Sequence, residues 1–196
     1  MVGNDKYARW NIVCGTNGTG KSTFIDERIK ETHFKNVLVY VESIDLNGNP
    51  FKGMPAIPLT SYRGGKVCID ADTVPCDVFL AACAKKYRNG MIVLDEAGEY
   101  KEQMFNGDEP IPALRKLGKQ RRKYNVEIYF IYHSASEIPI RLLKWANNII
   151  LFHQVDEFRH KAHLIPKAKV LQAAQRRIAE RYENGDHYYG ERIQLA

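Results

Sequence analysis

The chain has 196 residues, of which 44% are hydrophobic and 27% are charged. This balance predicts a single globular domain over residues 1–196 and excludes a disordered chain. The longest wholly apolar run, residues 78–84, is much shorter than the about 20 residues that a membrane-spanning helix requires. The sequence therefore predicts a soluble protein, and its lack of a signal-peptide pattern favours a cytoplasmic location.

Cysteine spacing and net charge indicate which kinds of site and partner the chain could have. None of the four cysteines belongs to a C-x-x-C pair, which argues against a disulfide framework, a zinc site and thioredoxin chemistry. The chain carries 29 lysine and arginine residues against 23 aspartate and glutamate residues, a formal net charge of +6. An excess of positive charge suggests a polyanionic partner such as nucleic acid.

Short β-branched apolar runs alternate with amphipathic stretches along the chain. This pattern predicts an α/β fold with a mostly parallel central sheet and helices on both faces. The predicted strands are, in chain order, 10–14, 36–42, 66–69, 91–95, 126–132, 148–153 and 187–195. The predicted helices are 21–32, 75–88, 112–123, 140–145 and 167–182. Segments 43–65 and 96–110 are predicted as long irregular loops, and loops after strands commonly carry functional sites in such sheets.

Residues 15–22 match the phosphate-loop pattern G-x-x-x-x-G-K-[ST], and they stand between the first predicted strand and the first predicted helix. The glycines allow successive backbone N–H groups to face a phosphate chain. Lys21 is expected on the β- and γ-phosphates, and the Ser22 hydroxyl is expected to bind Mg²⁺. The predicted nucleotide-binding residues are Gly15, Thr16, Asn17, Gly18, Thr19, Gly20, Lys21, Ser22 and Thr23.

Two carboxylates follow the apolar run 91–94, which has the composition of a strand covered on both faces. Asp95 stands at the end of that strand and is predicted to hold Mg²⁺ through water. Glu96 is one residue further and is predicted to take a proton from an attacking water molecule. A carboxylate in that position favours hydrolysis over phosphate transfer to a small acceptor.

The nucleotide is predicted to be ATP rather than GTP. Residues 95–98 also fit the D-x-x-G pattern of GTPases, but the sequence has no N-K-x-D string to recognise guanine. The D-x-x-G match is therefore attributed to chance.

His133 ends the predicted strand 126–132. A polar side chain there can lie between the two catalytic strands and sense the γ-phosphate. A structural histidine with satisfied hydrogen bonds is an equally weighted interpretation.

The segment 115–123 holds six cations in nine residues and no acid. On a helix this run is expected to cover more than one face. Three interpretations stay open: a solvated helix face, contacts with the phosphate backbone of DNA, and an arginine donated to the γ-phosphate of a neighbouring subunit. The six cations are Arg115, Lys116, Lys119, Arg121, Arg122 and Lys123.

Elsewhere, Tyr188 and Tyr189 are expected as half-buried sheet residues rather than base-stacking ones.

Taken in order, these motifs resemble the FtsK/HerA group of DNA-pumping ATPases. The resemblance lies in the phosphate loop G-T-N-G-T-G-K-S, the I-V-L-D-E strand and the R-K-Y-N-V-E-I-Y-F-I-Y-H stretch with the following Ile-Pro. The chain looks closest in size to the compact genome-packaging ATPases of double-stranded DNA viruses with an internal membrane. The Zot-like phage assembly ATPases share the same plan. Arg122 falls on the family arginine, and His133 falls where the family usually has a sensor glutamine.

The resemblance implies a RecA-like P-loop NTPase fold and catalytic roles for Lys21, Glu96, His133 and Arg122. It also implies a homo-oligomeric ring that binds ATP and Mg²⁺ between subunits and moves double-stranded DNA through its pore. A viral member would work in the host cytoplasm, with a capsid or portal vertex as a further partner.

Two other functions fit a phosphate loop in a chain of this length. One is a small-molecule kinase of the nucleoside or nucleotide type, which would transfer phosphate to an acceptor. The other is a non-motor nucleotide-dependent switch that regulates a partner through segment 43–65. DNA-stimulated hydrolysis, phosphate transfer to an acceptor and slow partner-dependent turnover distinguish the three.

Overall fold

The computed structural model describes residues 9–42, 51 and 53–195. Nine strands are described: β1 (Trp10–Cys14), β2 (Asn36–Val41), β3 (Lys66–Asp70), β4 (Gly90–Leu94), β5 (Phe105–Asn106), β6 (Glu109–Pro110), β7 (Val126–Tyr132), β8 (Asn148–Leu151) and β9 (Glu191–Gln194). The six described α-helices are α1 (Lys21–Glu31), α2 (Cys76–Lys86), α3 (Lys101–Met104), α4 (Pro112–Tyr124), α5 (Ile140–Trp145) and α6 (Ala168–Glu183). Short 3₁₀ helices cover Leu59–Ser61 and Phe158–Leu164.

Seven strands form one sheet in the order β3-β2-β4-β7-β1-β8-β9. Every neighbouring pair is parallel except β8 and β9, which are antiparallel. The carboxyl ends of parallel strands meet at one edge of a sheet. The segments that follow β1, β4 and β7 therefore emerge side by side at that edge.

Helices cover both faces of this sheet, as the sequence predicts. On one face, Ile25 and Ile29 of α1 pack into a buried cluster with alternate residues of the central strands. On the other face, α2, α4, α5 and α6 bury their apolar sides in a second and larger cluster. The central strands are buried on both faces because helices lie above and below them. Every helix in the described residues is too short or too polar to span a bilayer.

Some predicted boundaries are wrong. Segment 96–110 is not one irregular loop, because it contains α3 and a small β5–β6 ladder. The last strand begins at Glu191 rather than at residue 187, since the chain still turns after α6. β8 ends at Leu151, two residues early, because the carbonyl of His153 accepts a hydrogen bond from the phosphate loop instead of from a strand. Most of predicted loop 43–65 falls in the described part of the chain, but residues 43–50 and 52 lie outside it.

Candidate nucleotide site

The phosphate loop connects β1 to α1 and is tied to both strands beside β1. The Gly15 N–H donates to the Tyr132 carbonyl of β7 at 3.2 Å, and the Thr16 N–H donates to the His153 carbonyl beyond β8 at 2.8 Å. Within the loop, the Thr19 hydroxyl donates to the Thr16 carbonyl at 2.7 Å. These bonds fix the loop relative to the sheet edge.

Two loop glycines adopt backbone angles that other residues avoid. Gly18 has φ of 77° and Gly20 has φ of 97°, both in the left-handed region. Gly15 is required for space, because a Cβ there would lie 2.6 Å from the Cβ of Phe152. The glycines of the motif therefore serve the loop conformation that the sequence pattern predicts.

Lys21, the first residue of α1, lies at the base of this loop. Its Nζ donates to the Gly15 carbonyl at 2.6 Å and to the Thr16 carbonyl at 2.8 Å. The side chain is 6% exposed, and this burial lowers the pKa of the ammonium, while the charges of Asp95 and Glu96 act in the opposite direction. The loop thus holds a buried cation against two of its own carbonyl groups.

Asp95 follows β4 and is almost fully buried. Burial, with the neighbouring Glu96 charge as the second cause, raises the pKa of its carboxyl to about 6. Asp95 and the Ser22 residue line the same cavity. A carboxylate and a hydroxyl suit Mg²⁺, which binds few protein oxygens and completes its shell with phosphate and water. A cation beside Asp95 would also favour the ionised form of this buried acid, so the residues fit the metal.

His133 connects the lysine to the second acid. Its Nδ1 lies 3.4 Å from the Lys21 Nζ, and its Nε2 lies 3.2 Å from the Glu96 Oε1. Since an ammonium only donates, the geometry favours the neutral tautomer with a proton on Nε2, which donates to Glu96. The backbone N–H of His133 also donates to Glu137 Oε2 at 3.3 Å. Lys21, His133 and Glu96 therefore form one continuous polar chain across β1, β7 and β4.

Glu96 itself is held in an unusual backbone conformation. Its φ is 51°, in the left-handed region. The next residue, Ala97, donates its N–H to the Ile131 carbonyl of β7 at 2.7 Å. This tight turn directs the Glu96 side chain toward the strand that carries His133. Strain kept at such a position is typical of functional sites.

Glu42 belongs to the site but was missed by the sequence analysis. It follows β2, the strand beside β4, and lines the cavity with Asp72. Desolvation first, and then a hydrogen bond with Glu96, raise the pKa of the Glu42 carboxyl. The signal that could have found it is the carboxyl-end rule, applied to β2 as well as to β4 and β7.

These residues surround one cavity of about 620 Å³, a volume suited to a nucleotide. Its lining is Asn17, Gly18, Gly20, Lys21, Ser22, Thr23, Val41, Glu42, Asp72, Asp95, Glu96, His133 and Tyr188. The expectation that Tyr188 is a half-buried sheet residue is wrong. It precedes β9 and is 72% exposed, because the turn after α6 carries it out to the cavity rim.

The basic run lies on α4, away from this cavity. Leu114 and Leu117 are the buried residues of the helix. Five of the cations follow the i, i+1, i+4, i+7, i+8 spacing of one helix face and are exposed. The five are Arg115, Lys116, Lys119, Arg122 and Lys123. Arg121 lies off this face and is half-buried, so the six cations together cover more than one face, as predicted.

Arg122 is the one predicted catalytic residue that the structure does not bring to the cavity. It lies near the end of α4, where the Tyr124 carbonyl accepts from Asn89 just before β4 begins. This is the amino edge of the sheet. β7, seven residues long, separates Arg122 from His133, which corresponds to about 23 Å along the strand.

No protein-family model matches the sequence, and no curated protein is significantly similar to it. Solved structures do match the fold. The genome-packaging NTPase B204 of Sulfolobus turreted icosahedral virus 2, in complex with AMPPCP, superposes with a TM-score of 0.71 at 15% identity, over 95% of this chain and 92% of that chain. B204 of Sulfolobus turreted icosahedral virus, a DNA-packaging ATPase, gives a TM-score of 0.67 at 17% identity, over 96% and 93%.

A third structure, the N-terminal domain of zonular occludens toxin from Neisseria meningitidis, gives a TM-score of 0.51 at 16% identity, over 76% of this chain and 78% of that one. These neighbours match the genome-packaging and Zot-like resemblance noted in the sequence. The protein thus has an α/β P-loop NTPase fold with a mostly parallel central sheet, as the sequence predicts.

Proposed function

We propose that this protein binds ATP and hydrolyses its γ-phosphate bond. The observation that carries the proposal is the Lys21–His133–Glu96 chain, which joins the phosphate loop to a candidate base across three strands. Lys21 and the loop N–H groups bind the β- and γ-phosphates. Glu96 takes the proton of the attacking water, and His133 orients Glu96 through its Nε2 proton.

Ser22 and Asp95 would hold Mg²⁺ at the phosphate end of the cavity. When bound, this ion neutralises phosphate charge. The backbone of Asp95 is held in place because it directly follows β4 and because its N–H donates to the Tyr40 carbonyl at 2.9 Å.

The same proposal extends to a DNA translocase that packages a viral genome as a homo-oligomeric ring. The exposed basic face of α4 supports a polyanionic partner, and double-stranded DNA carries a dense line of phosphates that lysine and arginine neutralise. B204, which shares the fold, is described as a genome-packaging NTPase. The place of Arg122 at the far edge of the sheet supports a role at a neighbouring subunit rather than at its own phosphates. A capsid or portal vertex is the partner expected of such a ring.

Two variants test the hydrolysis proposal by separating binding from turnover. Lys21→Ala should weaken ATP binding at least about 10-fold, since it removes a buried charge-assisted contact. Glu96→Gln should bind ATP normally and lose about 100-fold or more in kcat. Isothermal titration calorimetry with a non-hydrolysable ATP analogue and steady-state phosphate release measure the two effects.

Matched controls are Lys30→Ala, at the other end of α1 from Lys21, and Glu99→Gln, three residues after Glu96, because both residues are exposed. Turnover at the wild-type rate in Glu96→Gln would show that Glu96 is not the base. Unchanged affinity in Lys21→Ala would show that the loop does not bind the phosphates as proposed.

A further inference from the structure

A second cavity opens beside the phosphate loop. It has a volume of about 330 Å³, and its apolar lining comes from Phe24, Ile150, Phe152 and Tyr188. Gly20, Thr23 and Tyr188 line both this cavity and the larger one that holds Lys21. The two cavities are therefore adjacent, with the first turn of α1 and Tyr188 between them.

Tyr188 stands at the junction of the two cavities. A Cβ built on Gly20 would lie 3.3 Å from the Tyr188 Cδ1, so the ring rests against the last loop residue before Lys21. Yet 72% of Tyr188 is exposed. Among the described residues, the other large exposed hydrophobic side chains are aliphatic: Val78, Val155, Leu164 and Val170. An aromatic ring held against a phosphate loop and open on its other side offers a stacking surface.

The floor of the second cavity is apolar and constrained. Phe24 and Phe152 contact each other edge to face, with ring centroids 6.1 Å apart. Gly190 leaves room for the Phe152 ring, since a Cβ there would lie 2.8 Å from the Phe152 Cε1. A flat, apolar ligand would therefore meet a pre-formed surface rather than one that has to reorganise.

Sheet topology gives the direction in which a nucleotide must run. Glu96 follows β4, which lies on one side of β1, with β7 between them. Phe152 follows β8 and Tyr188 precedes β9, and both strands lie on the other side of β1. If the γ-phosphate lies between Lys21 and Glu96, the nucleoside must leave the loop in the opposite direction, over Gly20 and Thr23. That path leads into the second cavity.

We propose that this second cavity is the base subsite of the nucleotide, with Tyr188 stacking on the purine ring. The inference rests on the proposed function, because it takes the phosphate loop as the triphosphate site. Stacking uses the face of the base, so Tyr188 contributes affinity for a purine nucleotide without choosing between adenine and guanine. Phe24 and Phe152 contact the edge of the purine ring from the cavity floor.

The experiment compares two ligands, Mg·ATP and Mg·tripolyphosphate, by isothermal titration calorimetry on the full chain. Tripolyphosphate presents the phosphates without a base. Tyr188→Ala should weaken ATP binding about 10-fold, within the range of lost base–aromatic stacking, and leave tripolyphosphate binding unchanged. Tyr188→Phe keeps the ring and should bind ATP like the wild type. Because Tyr188 is largely exposed, the Ala variant should keep the wild-type melting temperature.

Three results would overturn the inference. Wild-type ATP affinity in Tyr188→Ala, or an equal loss for both ligands, would show that the ring does not hold the base. Equal affinity of the wild type for ATP and tripolyphosphate would show that the base is not bound, while the phosphate site would still be supported. If the wild type bound neither ligand, the proposed phosphate site itself would fail, and the base subsite with it.

Discussion

At the scale of single residues, one half-buried acid outside the nucleotide cavity shows how electrostatics and stability are linked. Glu127 of β7 accepts hydrogen bonds from the Asn11 Nδ2 at 2.9 Å and the Tyr129 hydroxyl at 3.2 Å. The Asn11 Oδ1 in turn accepts from the Asn148 Nδ2 at 2.7 Å. Burial still dominates these bonds and raises the pKa of Glu127 above its ordinary value of 4.5. The folded protein therefore favours the neutral form of this carboxyl.

Glu127→Gln should increase the free energy of unfolding at neutral pH, because it removes a charge that burial disfavours. The raised pKa means that the buried charge costs stability above the folded pKa, and that this cost disappears below the unfolded value near 4.5. The glutamine carbonyl can still accept from Asn11. Urea unfolding at several pH values should give the variant a higher free energy of unfolding than the wild type at pH 8 and the same value near pH 4. Exposed Glu102→Gln is the control, because any effect of that change on stability should not depend on pH. A stability gain in Glu127→Gln that is independent of pH would contradict this explanation.

Residue types at fixed spacing made much of the site predictable. The loop motif indicates Lys21 and Ser22 directly, and the strand-end rule brings Asp95 and Glu96 next to them. The same rule applied to β2 indicates Glu42 as a strand-end acid, but its place beside Glu96 depends on the adjacency of β2 and β4, which arises from the strand order and not from any local pattern. Tyr188 was weighed as a base-stacking residue but was assigned to the sheet for a related reason: its turn has no periodicity that marks a contact with Gly20.

At the scale of elements, α4 approaches the sheet through a glycine. Gly118 lies in the helix interior, and a Cβ there would be 2.9 Å from the Cζ2 of Trp10. Trp10 is fully buried and already contacts Phe130 and Trp145, with ring centroids 5.3 Å and 5.6 Å away. The glycine thus permits the close packing that fixes α4 on β1.

Gly118→Ala should destabilise the protein by about 1–3 kcal/mol, although alanine is the better helix former. The methyl group forces the Trp10 ring or the helix to move. Thermal or urea unfolding measures the loss, and Lys116→Ala on the exposed face of the same helix is the control. An increase in stability would show that α4 does not pack as closely on Trp10 as described.

The phase of α4 also decides what its charges can do. Periodicity predicted the helix, but the position of its buried stripe depends on which residues meet the sheet. Since Leu114 and Leu117 form the buried stripe of α4, five cations lie on the opposite, exposed face of the helix. A one-sided basic face is better suited to a phosphate backbone than charges spread around the helix.

At the scale of the whole molecule, the two edges of the sheet have separate roles in the proposed motor. The carboxyl edge carries Lys21, Asp95, Glu96 and His133, while Arg122 lies at the amino edge. A subunit with this arrangement cannot place Arg122 on its own nucleotide. In a ring, the amino edge of one subunit could meet the carboxyl edge of the next.

Arg122→Ala should therefore lose hydrolysis by about 1000-fold in a pure sample and still bind ATP, as removal of an arginine finger does. Mixing it with Glu96→Gln should restore part of the activity, because some mixed interfaces combine an intact Glu96 with an intact Arg122. Phosphate release across mixing ratios measures the rescue. Lys123→Ala, beside it on the same face, is the control. No rescue at any ratio would remove the support for a role across the interface.

The proposed motor requires that ATP hydrolysis be coupled to double-stranded DNA in an assembled ring. Steady-state ATP hydrolysis, measured with and without double-stranded DNA over a protein concentration series and at two salt concentrations, tests it most directly. A DNA-coupled ring should hydrolyse ATP faster with DNA, should show a steeper rise with protein concentration, and should lose its DNA stimulation at high salt, because phosphate contacts weaken there. Hydrolysis that does not change with DNA at any protein concentration would contradict the proposed motor. It would favour the small-molecule kinase or the nucleotide-dependent switch instead.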